Sequence, residues 1–115
     1  MIRHFSDLDV YKRAQGLYPK VVEFSRSFPK EGFHLRDQVC RSANSIHANI
    51  AEGYGRSTAE FKMYLTRSLG SCNETVSHIT DALNSKFGKI DLGNELVREY
   101  EIVGKQIYRL REKWK

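Results

Sequence analysis

Apolar side chains recur at alternating steps of three and four residues along four stretches of the chain. The first set is Val10, Ala14, Leu17, Val21, Phe24 and Phe28. The second is Leu35, Val39, Ala43, Ile46 and Ile50, and the third is Phe61, Leu65, Leu69 or Ser68, Cys72, Val76, Ile79 and Leu83. The fourth is Leu96, Tyr100, Val103, Ile107, Leu110 and Trp114. This spacing places each set on one face of an α-helix. The pattern predicts four helices, at about residues 6–27, 31–53, 57–86 and 91–114.

Particular residues indicate where these helices begin and end. The predicted caps are Ser6, Ser57 and Asp91, and the predicted stops are Gly53 and Gly88. Glu60 lies three residues after Ser57, so the two can form a capping box. Gly53 can adopt the left-handed conformation that commonly ends a helix. The stretch Arg41–Arg56 with Ser57–Glu60 therefore predicts the end of one helix, a tight turn and the start of the next.

Two residues inside the predicted helices break helical rules. Pro19 removes a backbone donor and its ring meets the carbonyl of Gln15, so we expect a kink there, eased by Gly16. Gly70 costs roughly 1 kcal/mol relative to alanine in an exposed helix interior. We expect that a neighbouring backbone, near Ser42 and Ala43, approaches Gly70 closely.

Connectors of three or four residues place sequential helices side by side and antiparallel. We therefore predict an all-α fold, an up-down-up-down four-helix bundle that forms a single domain over residues 1–115.

Composition is that of an ordinary globular domain, with 40% apolar and 29% charged residues. The chain has no apolar run long enough for a membrane span, and its first residues lack the apolar core of a secretory signal. We expect a cytoplasmic protein. Cys40 and Cys72 lie far apart, within or beside apolar stripes, and are expected to be reduced core thiols.

The net charge of +5 permits binding to an anionic polymer. The predicted topology brings together, at one end, the start of helix one, the second turn and the end of helix four. The candidate nucleic-acid contacts at this basic end are Lys12, Arg13, Arg56, Lys105, Arg109, Arg111 and Lys113. Tyr11, Tyr54 and Trp114 lie beside them and could stack on bases. Alternatively, Tyr11 and Trp114 cap the core and the lysines keep the protein in solution.

A polar stripe follows the second helix beside its apolar one. It consists of Gln38, Ser42, Ser45, Asn49, Glu52 and Arg56, and the third helix offers Ser68, Ser71, Glu74 and Thr75. One interpretation is a solvent-exposed face. The other is a hydrogen-bonded network between helices or between subunits, because short amides and hydroxyls replace the usual Lys and Glu.

Catalysis finds little support in the sequence. Glu52 and Glu74 could form an acid/base pair, and His47 or His78 could act as a base, but no nucleophile, metal-ligand spacing or phosphate loop accompanies them. We expect no metal or cofactor. A helix-turn-helix DNA reader is also disfavoured, because the second and third helices are too long for that motif.

Several motifs together closely resemble the bacterial four-helix-bundle proteins encoded in 23S rRNA intervening sequences. The motifs are FSDLDVYKRA at residues 5–14, LRDQVCRSA at 35–43, SIHANIAEGYGRS at 45–57 and GSCNE at 70–74. The resemblance covers nearly the whole chain. It implies an antiparallel bundle, a ring-like homopentamer and a distant relation to nucleic-acid-binding accessory proteins of diversity-generating retroelements. It implies no established activity.

The resemblance also implies roles in packing and assembly for particular residues. These are Ser45, Asn49, Glu52, Gly53, Arg56, Ser71 and Glu74. We expect a non-enzymatic oligomer that binds RNA or ribosomes through its basic end. The competing hypothesis is a structural or protein-interaction scaffold that binds no nucleic acid.

Overall fold

A computed structural model describes all residues from Met1 to Lys115 and contains four α-helices and no strands. The helices are α1 (Asp9–Arg26), α2 (Phe33–Gly53), α3 (Thr58–Asn84) and α4 (Ile90–Lys113). Short 3₁₀ turns at Phe5–Asp7 and Lys30–Gly32 precede α1 and α2. The molecule extends 45 × 21 × 19 Å. No helix is both long enough and apolar enough to cross a membrane.

The helix starts agree with the predicted caps at only one of three places. The Ser57 hydroxyl accepts a hydrogen bond from the backbone N–H of Glu60 at 3.2 Å, which confirms Ser57 as the cap; the same hydroxyl, rather than the Ser57 backbone N–H of a capping box, donates to the Glu60 carboxylate at 2.9 Å. The Ser6 prediction was wrong, because His4 and Asp7 cap a separate 3₁₀ turn instead. Asp91 lies in the first turn of α4, and Lys89 occupies the cap position.

The prediction that the second helix ends at Gly53 is confirmed, but two details of the glycine predictions were wrong: the left-handed conformation of Gly53 and the close approach of a backbone to Gly70. Gly53 is helical, and Gly55 carries the positive φ of +88° in the following turn. A Cβ built on Gly53 would lie 2.5 Å from the Cβ of Tyr64, so this glycine admits the Tyr64 side chain of α3. Gly70 is exposed, and a Cβ there would meet nothing within 4 Å, so no backbone approaches it.

Gly88 fits its predicted role as a stop after α3. Its φ is +76°, a conformation that side chains other than glycine rarely adopt. A Cβ on Gly88 would also lie 2.6 Å from the ring of Phe24, so the close packing of α1 excludes any larger residue.

The core follows the predicted apolar stripes on α1, α2 and α4. Its fully buried members include Val21, Phe24, Val39, Ile46, Ile50, Leu96, Tyr100, Val103 and Ile107. On α3 the structure selects Ser68 from the two predicted alternatives, and the stripe differs from the prediction further on: Thr75 and Ala82 are fully buried, whereas Leu69, Val76 and Leu83 are only partly buried. The polar pair Ser68 and Thr75 can enter the interior because both side chains find hydrogen-bond partners on α2.

Helix α1 continues without a break through Pro19. Pro19, Gln15 and Gly16 all lie on the exposed face, where water can reach the carbonyl that the proline leaves without its usual donor. The proline therefore does not end the helix, and the kink stays a prediction.

Candidate functional site

A chain of hydrogen bonds between short polar side chains runs along the contact of α2 and α3. We call these residues the polar seam: Ser42, Ser45, Asn49, Ser68, Ser71 and Thr75. Thr75 Oγ1 lies 2.8 Å from Ser42 Oγ, and Ser71 Oγ donates to Ser45 Oγ at 3.0 Å. The seam thus links the two helices through side chains as well as through apolar packing.

The other members of the seam tie its side chains to the backbone. Ser68 Oγ donates to the Ile46 carbonyl across the interface at 2.7 Å. Asn49 Nδ2 donates to the carbonyl and the hydroxyl of Ser45 at 2.8 and 2.9 Å. Because each of these donors has an acceptor, burying the polar groups avoids most of the free-energy cost of leaving a hydrogen-bonding group unsatisfied.

Three residues of the predicted stripe lie outside this network. Gln38 is half-buried, and Glu52 and Arg56 are exposed at the end of α2. Glu74 on α3 is also exposed and lies 3.6 Å from His78. The stripe is therefore a network at its centre and a solvent-facing surface at its ends.

An aromatic ring between two arginines marks the turn from α2 to α3. The guanidinium carbons of Arg56 and Arg67 each lie 4.9 Å from the centre of the Tyr64 ring. Arg56 also pairs with Glu60 at 3.7 Å, whereas Arg67 forms no ion pair. Tyr64 and Arg67 were missed in the sequence, although their spacing of three residues places them on one helix face.

The seven candidate cations divide into paired and unpaired groups. Arg13 bonds Glu99 at 2.8 Å, and Arg111 lies 3.6 Å from Glu112 and 3.1 Å from Thr66 Oγ1. With Arg56, these three arginines have partners within the chain. The exposed cations without an ion pair are Lys12, Lys105, Arg109 and Lys113.

Three of the unpaired cations form a line on α4, which we call the basic stripe: Lys105, Arg109 and Lys113. They follow at steps of four residues, so neighbours lie on one face at about 6 Å of helix rise. Lys105 and Arg109 also line a groove of about 650 Å³ between α3 and α4. The other candidate cations lie on several elements: Lys12 and Arg13 on α1, Arg111 on α4 and Arg56 in the turn after α2.

The groups considered for catalysis are not brought together. Glu74 borders a shallow groove beside Ser42 and Ser45, whereas Glu52 lies near Tyr64 OH at 3.5 Å. Ser42 and Glu52 are ten residues apart on α2, a rise of about 15 Å. Glu52 and Glu74 therefore do not form the acid/base pair considered from the sequence.

Buried titratable groups lie in the interior rather than in a cleft. His47 lies between the rings of Tyr11 and Tyr18, with centroid distances of 5.8 and 6.0 Å, and burial lowers the pKa of its imidazole. Burial raises the pKa of the Cys72 thiol to about 11, and this thiol donates to the Tyr100 carbonyl at 3.1 Å. Such a thiol is a poor nucleophile at neutral pH.

The chain is thus a four-helix protein with a hydrogen-bonded seam and a line of unpaired cations. It belongs to the 23S rRNA-intervening sequence protein family, whose model matches residues 6–109. Comparison with curated proteins gives no match.

A solved structure shares the fold over most of the chain. It is the crystal structure, at 1.70 Å resolution, of a protein of unknown function from the S23 ribosomal protein family of Bacteroides thetaiotaomicron VPI-5482. The two chains are 20% identical and superpose with a TM-score of 0.83. The match covers 90% of this chain and 99% of the other. At this identity the likeness establishes the fold alone.

Proposed function

We propose that this chain is a non-enzymatic, homo-oligomeric protein that binds ribosomal or other RNA through its basic end. The observation that carries the proposal is the basic stripe, whose three exposed cations form no ion pair within the chain. Unpaired cations keep their full charge for phosphates, and their contact with RNA releases condensed counterions. The family description names a 23S rRNA intervening sequence, which makes rRNA the first RNA to test as a ligand.

The arginines Arg13, Arg56 and Arg111 have a different part in this proposal. Each already has a partner in the chain, so a phosphate would have to compete with a carboxylate. Lys12 is exposed and unpaired on α1 and would extend the contact beyond α4. We therefore assign the main phosphate contacts to Lys12 and the basic stripe.

We infer that successive helices of the bundle run antiparallel. The inference is supported by side-chain contacts that occur in opposite order on paired helices. On α2 and α3 the bonded pairs are Ile46 with Ser68, Ser45 with Ser71, and Ser42 with Thr75. On α1 and α4 they are Arg13 with Glu99 and Lys20 with Glu95. This topology places the start of α1 beside the end of α4, and so Lys12 near the stripe.

The homo-oligomer, a ring-like pentamer in the resemblance described above, would multiply this contact. Each copy brings a net charge of +5, and several basic ends on one assembly could bind one RNA strand together. Such avidity would make binding much tighter than that of one chain.

RNA binding is tested by fluorescence anisotropy of a labelled rRNA fragment at several salt concentrations. The variant Arg109→Glu with Lys113→Glu is expected to weaken binding at least tenfold. It should also make the log-log salt slope shallower by about 1.4, from two lost single-strand phosphate contacts. The matched control is Lys30→Glu with Arg36→Glu, which changes the net charge equally on exposed residues near the opposite end. Equal effects of the two variants, or none, would refute the proposal.

The second candidate function is a scaffold that binds another protein. It is favoured by Tyr108, which is 51% exposed on α4 and lines the groove between α3 and α4. Wild-type protein that binds RNA weakly and without a salt slope would favour this function.

A further inference from the structure

A second groove lies at the basic end, between the N-terminal segment and the last turns of α4. It encloses about 360 Å³. We call it the end pocket; the lining residues that matter here are Leu8, Val10, Gln106, Arg109, Leu110, Lys113 and Trp114. Its volume is at the low end of the roughly 300–1,000 Å³ of small-molecule sites, which suits an occupant no larger than one nucleotide.

The apolar side of the end pocket has a fixed aromatic group. Trp114 follows the last turn of α4 in an extended conformation, and its ring packs edge-on against Phe61 at 4.8 Å and Tyr54 at 6.2 Å. Leu8 and Val10 are buried beside it. A held indole among aliphatic side chains is the kind of surface on which a planar base stacks.

The polar side of the end pocket has free hydrogen-bonding and charged groups. Gln106 lines the pocket and is half-buried; its side-chain oxygen has no hydrogen-bond partner and is shielded from solvent, so a ligand can bond it only after the amide turns toward the pocket. Arg109 and Lys113, which also belong to the basic stripe, form no ion pair. A ligand that offers an N–H donor and an anion would satisfy all three groups.

The remaining rim of the end pocket is acidic. The Asp7 carboxylate accepts backbone hydrogen bonds from Arg3 and His4 at 2.9 and 3.0 Å, and these bonds hold the pKa of Asp7 below its ordinary value. Asp9 is exposed at the start of α1. Both carboxylates repel an anion, so a phosphate can approach only from the α4 side, where Arg109 and Lys113 lie.

We propose that the end pocket binds one unpaired base of an RNA strand, stacked near Trp114, with the adjoining phosphate on Arg109 and Lys113. This inference rests on the proposed RNA-binding function and adds a specificity to it. An unpaired base exposes the N–H donors of its pairing edge, which Gln106 can accept, whereas a duplex has already used them. The protein should therefore prefer single-stranded over duplex RNA.

The test uses Trp114, the only tryptophan of the chain, as its own reporter. The natural protein is titrated with a short single-stranded RNA, with the same strand carrying abasic residues, and with its duplex. The complete strand should quench the tryptophan fluorescence and bind at least about fivefold more tightly than the abasic strand, which keeps every phosphate. The duplex should bind without quenching.

The outcomes separate this inference from the proposed function. Equal affinity and equal fluorescence change for complete and abasic strands would overturn the end pocket and leave RNA binding intact. No binding of any strand would overturn both. Quenching by free adenosine monophosphate but not by the strand would also overturn the inference, since the pocket would then be a site for free nucleotides.

Two variants test whether the preference for the complete strand arises in the end pocket. Fluorescence anisotropy measures their RNA affinity. Trp114→Leu and Gln106→Ala should each lose the preference for the complete over the abasic strand and keep the salt slope. Gln106 is only half-buried, so we expect Gln106→Ala to fold. It therefore tests the proposal even if Trp114→Leu fails to fold. A retained preference in a folded Gln106→Ala variant and in a folded Trp114→Leu variant would contradict the proposal.

Discussion

Two glycines illustrate how a single residue type has opposite meanings at different places in this fold. Gly53 is buried, and its missing side chain makes room for Tyr64. Gly70 is exposed on α3, and a Cβ built there would meet nothing within 4 Å. The sequence predicted a helix stop at Gly53 and close packing at Gly70, whereas the structure places the close packing at Gly53.

Replacing the two glycines with alanine should therefore change stability in opposite directions. Gly53→Ala places a methyl group 2.5 Å from the Cβ of Tyr64, an atom fixed to the α3 backbone. We expect a loss of about 1–3 kcal/mol in the free energy of unfolding from this overpacking. Gly70→Ala should gain up to about 1 kcal/mol, because alanine is the better helix former. Urea unfolding measures both; two changes of the same sign would contradict the packing of Tyr64 on Gly53.

His47 makes stability depend on pH. Burial between Tyr11 and Tyr18 lowers its pKa in the folded state, so below the ordinary value of 6.5 the unfolded chain binds more protons. The free energy of unfolding should therefore be highest above pH 6.5 and fall as the pH drops through that value. Urea unfolding between pH 7.5 and 5.5 measures the slope. His47→Phe should flatten it, whereas the exposed His34→Phe should not.

At the scale of elements, the sequence predicted four helices at nearly the observed boundaries. The three- and four-residue spacing of apolar residues was sufficient for α1, α2 and α4. On α3 the buried positions Ser68 and Thr75 carry hydroxyls, so hydropathy left Leu69 and Ser68 as alternatives and pointed to Val76 instead of Thr75. Polar residues in a core can be recognised only once their partners on α2 are known.

The polar seam itself was one of two interpretations open from the sequence, and its short side chains favoured it correctly. What could not be predicted was its extent. Glu52 and Arg56 follow the same spacing in sequence as Ser45 and Asn49, but Glu52 lies in the last turn of α2 and Arg56 in the turn after it, and both side chains are exposed. A stripe is therefore buried only as far as the neighbouring helix covers it.

The seam should contribute measurably to the packing of α2 on α3. Thr75→Val keeps the shape of the side chain but removes its bond to Ser42, and we expect a loss of about 1 kcal/mol in the free energy of unfolding. A double-mutant cycle with Ser42→Ala should give a coupling energy of about 0.5–1 kcal/mol. Thr80→Val is the control, because Thr80 is exposed on the same helix and its hydroxyl bonds only the Val76 carbonyl within α3. Additive effects of Thr75→Val and Ser42→Ala would show that the two hydroxyls do not interact.

At the scale of the whole molecule, the basic end stays a prediction, and the sequence does not tell which of its cations form ion pairs. Helix order alone places the end of α4 beside the start of α1. Pairing depends on individual contacts, such as Arg13 with Glu99, that join residues far apart in the chain. Tyr64 and Arg67 were missed for the same reason: their role follows from Arg56, which belongs to the preceding turn.

Assembly into a homo-oligomer is a property of the whole molecule, and a substitution at the edge of the polar seam can test it. We expect sedimentation to give a mass several times that of the 13.3 kDa chain. Asn49 is half-buried at the edge of the seam, where it donates to Ser45. Asn49→Leu should lower the melting temperature by about 4 °C, the equivalent of roughly 1 kcal/mol, and reduce the assembled fraction.

Asn44→Leu provides the matched control for this last prediction, because it makes the same chemical change on the exposed face of α2. It should leave the melting temperature and the mass unchanged. If Asn49→Leu also leaves both unchanged, the seam edge contributes neither to the fold nor to contacts between copies. A lower melting temperature with an unchanged mass would assign Asn49 to the packing of a single chain, and the interface between copies would then lie on another face.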